Sequence, residues 1–274
     1  MREFKLINDL GQEFSLMTGA GFFKNPAGLG FDVQIEAQQA GYSYIPVKET
    51  MLQKSVTGNM IFATYEDYKT FTEFITAAKS LVLAYKPIDT WYYLDVIVSS
   101  LQKGEKTDLW RLNCPITFTA LGTWYEAITA KQAQGSGNGK EYDYEYDYVY
   151  QDQRLGEVEI TGVIIKSPCI VSIFGPVENP SFTLTQNGAQ VLTGKVNVTI
   201  PAGNKLVINA EPANMEIAEY TVDNTFVADR YANSDFSTER FAFVPAGDST
   251  FYFTDEGGGV ITAVVEVHKL VASI

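Results

Sequence analysis

Only one stretch of this chain brings apolar residues back at helical spacing: Tyr68, Phe71, Phe74, Ile75 and Ala78 fall on one stripe. Thr64 and Asp67 stand ahead of it at the spacing of a capping box, with Asp in place of the usual Glu or Gln. Almost everywhere else the apolar repeat is two, and a period of two sends successive side chains to opposite faces of an extended strand. A chain with that rhythm buries its apolar faces sheet against sheet, so the expected fold class is mainly β with one amphipathic helix. Aromatic residues at 13% lean the same way.

A change in composition divides the 274 residues. The run Gln134-Gly135-Ser136-Gly137-Asn138-Gly139 has no side chain able to build a core and reads as a flexible connection. Beyond it Tyr142, Tyr144, Tyr146, Tyr148 and Tyr150 alternate with mostly acidic residues, which predicts a strand with one aromatic and one charged face. The expected organisation is therefore an α+β sheet domain over 1–130, a linker and tyrosine/acid strand over 131–155, and a β-sandwich or jelly roll over 156–274.

In the first part, 3–8 and 13–16 read as a hairpin, and the glycine-dense 19–30 as a long loop exposing Phe22 and Phe23. Strands are expected over 31–37, 41–47, 53–63, 81–85, 90–101 and 109–121, the second an edge strand because of Pro46. After the linker come short strands at close spacing: 157–166, 169–174, 181–185, 190–200, 205–210, 216–222, 241–244, 249–254 and 260–270. Asn187-Gly188 is a two-residue hairpin signal, and Gly257-Gly258-Gly259 supplies positive φ for another turn. Ile200-Pro201-Ala202-Gly203 and Val244-Pro245-Ala246-Gly247 echo one another as two corners of a sandwich.

Most chemistry is excluded by what is missing. The net charge is −13: residues 1–130 hold 11 Lys/Arg against 14 Asp/Glu (−3), and 131–274 hold 9 against 19 (−10). Such a surface repels a phosphate backbone, so no grip on nucleic acid is expected. Cys114 and Cys169 sit in apolar runs and read as inert core residues. Neither a secretory leader nor a membrane-spanning run is visible.

The single histidine, His268, lies in an alternating strand and reads as structural or solvated. Gly139-Lys140 fails as a phosphate loop, and Asp143, Glu145 and Asp147 fail as a calcium loop, since Tyr148 and Arg154 occupy the positions that need Gly and Glu. Trp91, Tyr92, Tyr93, Trp110 and Trp124 are expected in core and sheet-edge packing rather than on a ligand-stacking surface. No carboxylate pair stands out for glycoside hydrolysis, so neither catalysis, metal nor cofactor is expected.

The order of parts, together with the run Ser167-Pro168-Cys169-Ile170-Val171-Ser172-Ile173-Phe174-Gly175-Pro176-Val177-Glu178-Asn179-Pro180-Ser181-Phe182-Thr183-Leu184 and the later Pro-Ala-Gly corners, resembles the distal tail protein of long, non-contractile phage tails. The resemblance implies a homo-hexameric ring at the virion tail tip, formed through the N-terminal domains. It implies partners too: the tail tube protein, the tail-associated (tail fibre or lysin) protein below, and receptor-binding or baseplate proteins carried on a galectin-like C-terminal sandwich. DNA would pass through the channel without specific binding, and an acidic wall suits that passage. Synthesis would be in the host bacterial cytoplasm, with no membrane partner. Sugar-binding galectins use a His-x-Asn-x-Arg strand and a later tryptophan; here His268 is followed by Lys269-Leu270-Val271-Ala272, and no tryptophan lies beyond Trp124.

Within that reading, Phe22, Phe23, Leu29, Tyr42, Tyr44 and Met51 are the candidate ring contacts, because long excursions with exposed aromatics lie there. Tyr142, Tyr144, Tyr146 and Tyr148 are the candidate contacts for an outer partner. The alternative function is a carbohydrate-binding module for host cell-wall adhesion.

Overall fold

The computed structural model describes residues 2–30, 33–106, 111–131, 156–258 and 261–274. They form two units, Met1–Glu126 with Leu270–Ile274, and Ala127–Lys269. The last five residues therefore belong with the first unit: the Val271 N–H donates to the Trp124 carbonyl (2.8 Å), and Lys54 Nζ donates to the Ala272 carbonyl (2.7 Å).

The strands of the first unit are β1 (Glu3–Asn8), β2 (Glu13–Ser15), β3 (Met17–Thr18), β4 (Gly21–Ala27), β5 (Val33–Ala40), β6 (Ser43–Met51), β7 (Ser55–Phe62), β8 (Leu81–Lys86), β9 (Tyr92–Leu101) and β10 (Leu112–Ala120). Helix α1 spans Tyr65–Ala77, and β11 (Tyr125–Lys131) carries the chain out. Antiparallel pairing runs β1-β8-β9-β10-β7-β4. The short strands then close that path. β2 pairs with β1 and β3 with β4, and between them the Leu16 N–H donates to the Phe4 carbonyl (2.9 Å) while the Leu16 carbonyl accepts from the Phe23 N–H (2.8 Å).

A sheet that curls until its edges meet leaves few unpaired edge groups and turns alternate residues into a common interior. Phe4, Leu6, Phe23, Met60, Leu83, Leu94, Ile116 and Phe118 are buried in it. Helix α1 starts at the expected capping box: Thr64 Oγ1 accepts from the Asp67 N–H (3.1 Å) and Asp67 Oδ2 from the Thr64 N–H (2.9 Å). Its stripe packs on aromatic rings, with the Phe71 centroid 5.1 Å from Phe14 and 5.4 Å from Phe62.

Residues 19–30 depart from the sequence expectation. They are not one loop, since β4 occupies Gly21–Ala27 and pairs with β7. The glycines serve close packing here: a Cβ on Gly58 would stand 2.5 Å from the Phe23 ring, and one on Gly21 would stand 2.8 Å from the Phe14 ring. Glycine density that reads as flexibility is, at these positions, room for aromatic side chains.

The second unit continues with β12 (Gly156–Val163), β13 (Ser167–Phe174), β14 (Val177–Glu178), β15 (Ser181–Gln186), β16 (Ala189–Lys195), β17 (Thr199–Ile200), β18 (Asn204–Asn209), β19 (Glu216–Thr221), β20 (Phe226–Asp229), β21 (Phe243–Val244), β22 (Gly247–Thr254) and β23 (Thr262–Leu270). One sheet has the order β20-β19-β18-β13-β23 and the other β12-β22-β15-β16, all antiparallel. Val171, Ile173, Leu206, Ile208, Val265 and Val267 from the first sheet meet Val158, Ile160, Phe182, Leu184, Phe251 and Phe253 from the second in one core. This is a β-sandwich. Asn187 (φ 51°) and Gly188 (φ 76°) make the β15–β16 turn in the left-handed region, as their dipeptide predicts. The two Pro-Ala-Gly corners join β17 to β18 and β21 to β22, each with its glycine at positive φ.

Candidate functional site

β5 and β6 form a hairpin hydrogen-bonded to no other strand among the described residues. Val33 lies opposite Met51, Ile35 opposite Glu49 and Gln39 opposite Tyr44. The alternation Val33, Ile35, Ala37 places apolar residues on one face of β5, and Gln34, Glu36 and Gln38 occupy the other. A hairpin packed against its own domain would bury that apolar face; this one does not. Ile35 is 58% exposed, Tyr44 72%, and Tyr42 fully so. Five of the eleven large apolar side chains exposed on the described part of the first unit lie in these two strands and their turn. A two-stranded hairpin is marginal in water by itself, and contiguous exposed apolar surface commonly marks an interaction site.

The other candidate ring contacts separate. Phe22 is half-buried and lines a groove of about 240 Å³ with Met17, Ile61 and Arg111. Leu29 is half-buried against the core. Phe23 is not an exposed residue at all: it is fully buried, edge-to-face with Phe4 (5.4 Å) and Phe118 (5.6 Å). Strand alternation sends the two neighbours to opposite faces, so they cannot act as one exposed pair. The Met51 side chain lies outside the described residues, as do Tyr142, Tyr144, Tyr146 and Tyr148.

The aromatic residues of β9 and its surroundings do not assemble into a ligand platform. Trp124 is buried, Tyr93 stacks on Tyr125 (5.7 Å), and Trp91 carries the Lys5 ammonium 4.6 Å from its ring centre. Trp110 lies outside the described residues.

His268 is buried between two carboxylates, its Nδ1 paired with Glu211 and its Nε2 2.9 Å from Glu266 Oε1. Burial pulls the imidazole pKa down, but hydrogen bonds and charge from Glu211 and Glu266 overcome it and raise the value to about 9. A histidine held protonated through neutral pH is poorly placed to act as a base there. Glu219, 2% exposed, is a charge that sequence reasoning missed; Arg230 Nη2 pairs with it at 2.5 Å and Asn204 Nδ2 donates to it at 2.5 Å. Burial alone would raise its pKa, yet these partners hold it below the usual carboxylate value. Cys114 and Cys169 are free and buried, and burial raises both thiol pKa values. Among the described residues no group of three or more His, Cys, Asp or Glu could hold a metal ion, and no helix is long and apolar enough to cross a membrane.

Residues 3–121, which span the closed sheet, α1 and the exposed hairpin, match the model of the distal tail protein N-terminal domain. Residues 3–121 thus form a domain of the distal tail protein family. Solved structures agree in fold along the whole length. A chain of the phage p2 baseplate in its activated conformation with Sr superposes at TM-score 0.74 with 15% identity, covering 100% of both chains. The phage SPP1 Dit protein, described as a paradigm of the hub adsorption apparatus in phages infecting Gram-positive bacteria, superposes at 0.60 with 9% identity, covering 98% of this chain and 99% of its own. No curated protein matches the chain in sequence.

Proposed function

We propose that this protein is a distal tail protein acting as a structural hub of a phage tail tip: a homo-hexameric ring, without catalytic activity, that joins the tail tube to the tail-associated protein below. Its second unit would carry receptor-binding or baseplate components, and DNA would pass through the ring. The observation that carries the reading is the β5–β6 hairpin, an apolar surface left uncovered on the domain that matches the family. In a ring each copy meets two neighbours through different patches, so a projecting element on one copy can be covered by the next. Tyr42 and Tyr44 are the contacts on it, Phe22 and Leu29 add secondary ones, and Phe23, buried in the core, makes none.

The test is the mass of the full chain across a concentration series, with negative-stain electron microscopy of the same fractions. Six-fold rings with a central hole are expected. The variant carrying both Tyr42→Ser and Tyr44→Ser should shift the distribution toward smaller species with unaltered thermal unfolding; unchanged assembly refutes the hairpin contact. A monomer at every concentration, alone and with tail tube protein added, refutes the ring.

A further inference from the structure

In the second unit the segment after β20 folds back along the open edge of β16. The Asp235 N–H donates to the Lys195 carbonyl (2.9 Å) and the Glu239 N–H to the Thr193 carbonyl (2.8 Å). Gly194 permits this approach, since a Cβ there would stand 2.3 Å from the Phe182 ring and 2.6 Å from the Glu239 carbonyl oxygen. The turn is pinned from within, because Asp235 Oδ1 accepts from both the Ser237 N–H (2.9 Å) and its hydroxyl (2.6 Å). The result is an open cleft of about 580 Å³ lined by Gln190, Thr193, Phe236, Ser237, Glu239 and Arg240. Small-molecule sites commonly fall in the range of roughly 300–1,000 Å³.

Phe236 is 62% exposed, yet its ring is held in place. It meets Tyr231 edge-to-face at 6.0 Å, and the Arg240 guanidinium lies 5.5 Å from its centre while Nη1 donates to Tyr231 Oη (2.5 Å). A rigid ring kept in water, beside an amide, hydroxyls, a carboxylate and a guanidinium, suits an amphipathic ligand. A pyranose is one: its C–H face packs on an aromatic ring, and its hydroxyls exchange hydrogen bonds with side chains that both donate and accept. Protein partners favour a broader interface core depleted of charge, which this lining is not.

We infer that the cleft between β16 and the 234–240 segment binds a short stretch of a neutral glycan, with Phe236 as the stacking platform. Glu239 and Arg240 offset one another in charge, which is why a neutral saccharide is specified. The inference does not depend on ring assembly.

The full chain would be titrated with maltotriose, chitotriose and galactotriose by saturation-transfer NMR and calorimetry. Saturable binding of at least one at millimolar concentration is expected, weakened about tenfold by Phe236→Ala, the size of one lost stacking contact. Gln190→Ala should also weaken it, and because both residues are exposed, thermal unfolding should stay unchanged. Absence of saturable binding to all three overturns the inference, as does binding indifferent to both substitutions. Loss of a tail protein's attachment on Phe236→Ala, with no sugar bound by the parent chain, overturns it in favour of a protein-docking site.

Discussion

Replacing Phe22 and Phe23 one at a time separates a surface role from a core role. Phe23 lies inside the closed sheet against Phe4 and Phe118, and its ring packs over Gly58, which has no side chain able to move into a vacancy. Truncation to alanine removes about 2–3 kcal/mol of transfer energy, and the unrelaxed cavity adds to it, for a total of about 4 kcal/mol. Phe22, half-buried on the opposite face of β4, should cost about 1 kcal/mol on truncation. Urea unfolding followed by tryptophan fluorescence reads this cleanly, because Trp91, Trp110 and Trp124 all belong to the first part of the chain and none to the sandwich. With a slope of about 2 kcal/mol per molar urea, Phe23→Ala should lower the midpoint by about 2 M and Phe22→Ala by about 0.5 M. Phe23→Leu should cost less than Phe23→Ala, because much of the volume is retained. Equal midpoints for Phe22→Ala and Phe23→Ala would refute the assignment of Phe23 to the core.

Other consequences can be measured on the same protein. Folding raises the His268 pKa from the ordinary 6.5 to about 9, so the stabilisation of the second unit is full below pH 6.5 and is lost as the pH rises toward 9. It amounts to about 3 kcal/mol, and near-ultraviolet circular dichroism of urea-unfolded samples should show that decline in the parent chain and its absence in His268→Gln. Arg230→Ala leaves the Glu219 carboxylate buried without its cation and should destabilise the second unit by about 3 kcal/mol, whereas Glu219→Gln with Arg230→Met should recover much of that loss in the same assay. Thr64→Ala removes one half of the capping box and should lower first-unit stability by about 1 kcal/mol by tryptophan fluorescence.

The elements that were legible in the sequence are those whose signal is local. The stripe from Tyr68 to Ala78 and the Thr64/Asp67 pair mark α1 to within a residue or two, because capping and helical spacing involve only near neighbours. Asn187-Gly188 marks its turn for the same reason. Strand alternation also locates β1, β8, β9 and β13. It does not locate β4, where Gly21 and Pro26 hide a strand, or β20, whose four residues Phe226-Val227-Ala228-Asp229 do not alternate.

The candidate surfaces divide along the same line. Tyr42 and Tyr44 stand out in the sequence as aromatics on an excursion, and their exposure agrees with that. Phe22 and Phe23 look equivalent in the sequence, and only the pairing of β4 with β7 sends one of them into the core. The cleft at Phe236 has no local signature, since it needs Gly194 and residues 234–240 brought side by side on the β16 edge. Glu219 has no local signature either, since β18, β19 and Arg230 enclose it only in the folded unit.

Side-chain spacing and the φ angles that single residues tolerate are local, and they mark the helix, the turns and most of the strands, with β4 and β20 among the exceptions. The tertiary structure alone decided which faces are covered and which left open: the sheet closed through Leu16, the uncovered hairpin, the buried Glu219 and His268. Burial is a property of residues distant in the chain that come together, and no window of neighbouring residues contains it.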